Sequence, residues 1–99
     1  MPLSRTKVSS AKAEKYMASL CKHFARKVVV KTGSENNCTI QFDMGQCEMH
    51  LETTDLHFEC VAETHEALDV VRYIVDQHII KLGDFKGLSL EWVTIEKSR

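Results

Sequence analysis

Three features of the sequence predict an α+β domain. Apolar and polar residues alternate with period two through the middle of the chain. A segment with a helical apolar stripe lies on each side of that region, and the length suits one core. We expect the order helix, four-strand mainly antiparallel meander, helix, final strand. Both helices need a dry partner, so we expect them packed on one face of a curved sheet, the face bearing Ile40, Phe42, Met49, Leu51 and Phe58. With 99 residues, 43% hydrophobic and 27% charged, the chain fits a single domain over residues 1–99. It is too short for an eight-stranded α/β barrel enzyme of roughly 250 residues, and for a two-half dinucleotide fold.

Residues 1–8 read as an arm or a short edge strand, and Ser9 or Ser10 is placed to cap the helix that follows. From Ala11 to about Lys27, the residues Ala13, Tyr16, Met17, Leu20, Cys21 and Phe24 fall on one stripe. Lys12, Lys15, Lys22 and Arg26 lie on the opposite face. Val28–Val30 is β-branched and enters a turn at residues 33–37. Cys38, Ile40 and Phe42 then point inward, the chain turns at Asp43-Met44-Gly45, and Cys47, Met49 and Leu51 point inward on the next strand. A tight turn at Thr53-Thr54 leads to Leu56, Phe58 and Cys60. Thr64 opens a second helix with acids in its first turns, and its stripe runs through Leu68, Val71, Val75, His78 and Leu82 before Gly83 stops it. Leu88–Ile95, which holds Trp92, is the last strand.

The net charge is −1, unevenly spread. Residues 1–31 carry eight Lys or Arg against one acid, Glu14, and residues 35–76 carry ten acids against one base, Arg72. The basic back of the first helix is the single feature that points to nucleic acid. The near-neutral total and the lack of an RNA-binding aromatic string argue against it. Cys21, Cys38, Cys47 and Cys60 form no CxxC pair, which excludes a thioredoxin-like motif and common zinc-finger spacings. Cys47 and Cys60 read as small buried hydrophobes. The start of the chain has no signal-peptide pattern, and no apolar run nears about 18 residues. We therefore expect a cytoplasmic chain with reduced thiols that does not span a membrane.

The string from Tyr16 to Lys27, with its Cys21-Lys22-His23-Phe24 core, resembles an uncharacterised bacterial family, the domain of unknown function numbered 2218. Gly45-Gln46-Cys47, His78 and Trp92 are similar to further positions of that family. The likeness covers about residues 6 to 94 and departs at Arg26, where a second histidine is expected. It implies the fold and a bacterial source, and it points toward the handling of metals or iron compounds, but it supplies no activity and no cofactor.

Two sets of residues stand out chemically. His78 lies within the apolar stripe of the second helix, and a buried imidazole needs partners for its nitrogens. It is either a core histidine bonded to a main-chain carbonyl or to Tyr16, or the rim of a pocket shared with His23 or a cysteine. His23 and Cys21 face apart on their helix, so the Cys-Lys-His string is not a chelating motif. On the meander, a turn centred between Thr53 and Thr54 sets His50 opposite His57 and Glu48 opposite Glu59, on the wet face. Imidazole and carboxylate together suit zinc, iron or manganese, and the same pattern also describes an ordinary solvated face.

The leading expectation is a small non-catalytic binding or accessory domain for a protein or small ligand. The competing one is a small enzyme or metal protein using His23, His78 or the His50/His57 face. An open sheet must protect its edges, so we expect a homodimer through an edge strand or the wet face, with Val28–Val30 and Leu88–Ile95 as candidate edges.

Overall fold

The computed structural model describes residues 2–34, 36–86 and 90–96. Strand β1 (Pro2–Ser9) is followed by helix α1 (Ala13–Ala25), four strands β2 (Val29–Ser34), β3 (Asn37–Phe42), β4 (Gly45–Glu52) and β5 (Asp55–Ala62), helix α2 (His65–Ile79), a 3-10 turn (Gly83–Phe85) and strand β6 (Val93–Glu96). The strands form one sheet in the order β2-β3-β4-β5-β1-β6, and every neighbouring pair is antiparallel. The α+β class and the helix–meander–helix–strand order stand as the sequence predicts.

Both helices lie against one face of the sheet. Met17, Leu20 and Phe24 of α1 and Leu68, Val71, Val75 and Ile79 of α2 close over Ile40, Met49, Leu56 and Phe58 in one apolar cluster. Thr64 caps α2, its hydroxyl accepting the Ala67 N–H at 3.1 Å. α1 begins at Ala13, later than expected. Ser10 holds the turn before it, its hydroxyl accepting the Lys12 N–H and its carbonyl the Ala13 N–H. The hairpin turn puts Thr53 at φ 58, a costly conformation for a β-branched residue.

The first strand corrects the expectation of an arm or edge strand. β1 is interior, with Leu3 to Ser9 paired to β5 and Pro2 to Arg5 paired to β6. The polar residues Ser4 and Thr6 point to the helix side and hide the alternation. Their hydroxyls are satisfied there: Ser4 Oγ sits 2.8 Å from Thr94 Oγ1, and Thr6 Oγ1 donates to the Glu91 carbonyl at 2.8 Å. The last strand is shorter than expected. Leu90 to Trp92 precede its pairing, and Leu88 and Ser89 lie outside the described residues.

Candidate functional site

The C-terminal turns of α1 and α2 meet at a corner. There the His23 and His78 rings lie 4.9 Å apart, tilted by 56°, and Phe24 packs 4.5 Å from His78. His78 is half-buried, and its Nδ1–H donates to the Ile74 carbonyl one turn back at 2.7 Å. It thus combines the main-chain partner of one expectation with the His23 neighbour of the other. Arg26, Lys27 and Lys81 surround the pair. Loss of water around the ring, then repulsion from His78, Lys27, Arg26 and Lys81, lowers the His23 pKa from its ordinary 6.5.

All four cysteines are free thiols. Cys47 faces Cys60 across β4 and β5, both wholly buried. Contact with the Cys60 thiol, then burial, pushes the Cys47 thiol up. On α1, burial and contact with the Cys38 thiol push Cys21 up to about 12. The Cys21 and Cys47 thiols are thus protonated at neutral pH and poor nucleophiles.

The face of the sheet away from the helices carries the second set. The register sets His50 opposite His57 and Glu48 opposite Glu59, as the turn position predicts. Arg5 of β1 joins Glu59 at 3.0 Å, so that carboxylate is already paired. His50 Nδ1 lies 2.6 Å from Asn37 Oδ1 on β3, and the two histidine rings are 6.1 Å apart. The His57 Nε2 is shut off from solvent and has no hydrogen-bond partner; Glu52 Oε1 is 3.6 Å away. Among the described residues, no three His, Cys, Asp or Glu side chains stand as a metal-holding group. The sequence pattern names the histidines but misses Arg5 and Glu52. Arg5 belongs to a strand hidden by its polar inward residues, and Glu52 shows as a neighbour of His57 only once side chains are placed.

Two open grooves flank the segment before β6. One, of about 780 Å³, runs between α2 and that segment and is lined by Val70, Arg72, Tyr73, Asp76, Leu90 and Trp92. Trp92 Nε1–H donates to Asp76 Oδ1 at 3.2 Å and ties the segment to α2. The other, of about 550 Å³, lies on the outer face and is lined by Arg5, Lys7, His57, Leu90, Val93 and Ile95. Tyr73, off the buried stripe of α2 and 64% exposed, is the residue a helical-wheel reading of the sequence could have singled out.

A solved structure, the NMR structure of PA4090 from Pseudomonas aeruginosa, has a similar fold. Its TM-score is 0.78 at 22% identity, with 94% of this chain and 96% of that chain covered. No curated protein matches the chain. No helix among the described residues is long and apolar enough to cross a membrane. The model of the family DUF2218, "Uncharacterized protein conserved in bacteria", matches residues 5–93, nearly the whole length from β1 to β6, and the chain belongs to that family.

Proposed function

We propose that the chain is a non-catalytic accessory domain that works as a homodimer, two copies joined edge to edge through β6. One observation carries this reading. Six large hydrophobic side chains are exposed among the described residues: Val29, Met44, Val70, Tyr73, Val93 and Ile95. Four of them line the two grooves that share Leu90 beside β6. Apolar surface therefore gathers on both sides of one sheet edge.

The two edges are not equivalent. β2 carries Lys31, Gly33 and a register shift between Lys31 and Ser34, all of which discourage pairing. In β6, Val93, Thr94 and Ile95 carry no charge, proline or bulge. A second copy's β6, added antiparallel, would satisfy the open main-chain groups. It would also place Val93 and Ile95 of both copies on one face, a self-complementary two-fold contact. A non-catalytic role is supported by His78, which is held by main chain, and by thiols kept protonated.

Light scattering on the full chain tests the proposal. The expected mass is twice 11.3 kDa at micromolar concentration and above. Val93→Lys, at a position 59% exposed, should return the mass to that of one chain with the fold intact. A wild-type mass of one chain throughout, or a dimer indifferent to Val93→Lys, would sink it.

A further inference from the structure

We propose a divalent transition-metal site on the outer face of the sheet, with His57 Nε2 and Glu52 Oε1 as two ligands and His50 Nε2 as the third. His57 also lines the outer groove beside β6, but the site needs no second copy of the chain. Its starting point is the His57 Nε2, which water does not reach and no hydrogen bond satisfies. Glu52 Oε1 lies 3.6 Å away, too long for a hydrogen bond. Two ligands of a tetrahedral zinc ion, each bonded at about 2.0–2.2 Å, lie roughly 3.3 Å apart. The observed spacing is closer to that than to a hydrogen bond.

His50 completes the set from the right place. It is two residues before Glu52 on β4, on the same face, and directly opposite His57. Its Nδ1 is 2.6 Å from Asn37 Oδ1, so Nδ1–H donates to the amide oxygen and Nε2 is the ring nitrogen left for an ion. An acceptor bonded to the other ring nitrogen commonly orients metal-bound imidazoles. Two imidazoles on one ion, bonded at about 2.0–2.1 Å, have ring centres roughly 5–6 Å apart, and here they are 6.1 Å apart. The exposed Glu52 side chain closes the set by rotation while His50 keeps its bond to Asn37, and water takes the open position. Imidazole with carboxylate selects zinc-like ions over calcium or magnesium. Glu59 is excluded by its pairing with Arg5. Glu48 lies on the other side of His50 from Glu52. Lys7, opposite His57, is drawn toward Asp55 at 4.0 Å.

The test uses the full chain stripped with chelator and titrated with Zn(II) and with Co(II). We expect one ion per chain, visible Co(II) bands of tetrahedral coordination, and paramagnetic broadening of the His50 and His57 ring signals but not those of His23 and His78. Glu52→Gln and His57→Ala should each weaken binding by at least about tenfold, while Glu48→Gln leaves it unchanged. If His57→Ala unfolds the chain, His50→Ala at an exposed position gives the same readout. Absence of the Co(II) bands, broadening at His23 and His78 instead, or affinity indifferent to Glu52→Gln would overturn the proposal and leave His57 and Glu52 as an ordinary ion pair.

Discussion

His23 stands where charges of one sign gather, and that makes its titration a probe of the helix corner. Its pKa lies below 6.5 because the ring has lost water and faces His78, Lys27, Arg26 and Lys81. Well above pH 6.5 the ring is neutral in folded and unfolded chains and contributes nothing to the pH dependence. As pH falls through 6.5, the unfolded chain takes up the proton first, so folding stability declines until the folded value is passed. We expect an NMR titration midpoint for His23 below 6.5, moving back upward in His78→Gln, and a shallower acid loss of stability in His23→Gln. A midpoint at or above 6.5 would contradict the crowded corner. The thiols give a second residue-level expectation. With Cys21 at about 12, Cys47 raised, and Cys38, Cys47 and Cys60 wholly buried, a thiol reagent at neutral pH should leave the folded chain nearly unlabelled. The same reagent should modify four thiols in denaturant. Rapid native labelling of any of the three buried cysteines would show that the core opens easily.

At the scale of elements, the close approach of α2 to the sheet depends on one missing side chain. A Cβ on Gly45 would sit 2.4 Å from the Val61 carbonyl and 3.1 Å from Val71 Cγ2. The first contact is main chain and cannot rotate away. Gly45→Ala should therefore cost about 1–3 kcal/mol, a fall in Tm of roughly 4–8 °C per kcal/mol, read by thermal denaturation. A Tm within a degree of wild type would mean that the β4–β5 pairing and α2 both give way at no cost. The same elements show what was legible in the sequence. The hairpin at Thr53-Thr54 fixes a period-2 register, so the pairings Cys47–Cys60, Glu48–Glu59 and His50–His57 could be read by counting. β1 could not, because Ser4 and Thr6 face inward and find hydroxyl and carbonyl partners from residues 91 and 94, distant in sequence. The helix stripes gave the buried residues of α1 and α2 but not the meeting of His23 with His78, which depends on how the two helices lie on the sheet.

For the molecule as a whole, the question is how a six-stranded open sheet with two unlike edges remains free of uncontrolled association. At β2, Lys31, Gly33 and the irregular register protect the edge within the chain. At β6 the apolar residues Val93, Ile95, Tyr73 and Val70 lie exposed on both sides of the edge, and the two-fold contact we propose would cover them without leaving a free end to propagate. A small chain gains most from such a contact, because its own core buries only about 60–65% of the unfolded surface. If folding and association are linked, mass action makes the midpoint of unfolding rise with protein concentration. We expect Tm to increase over a hundredfold concentration range for the wild type, and to be independent of concentration in Val93→Lys. Tyr73→Ala should fall between them, since it removes apolar surface from the α2 groove and leaves the edge's main-chain groups untouched. A wild-type Tm that does not change with concentration would place the protection of β6 within the single chain.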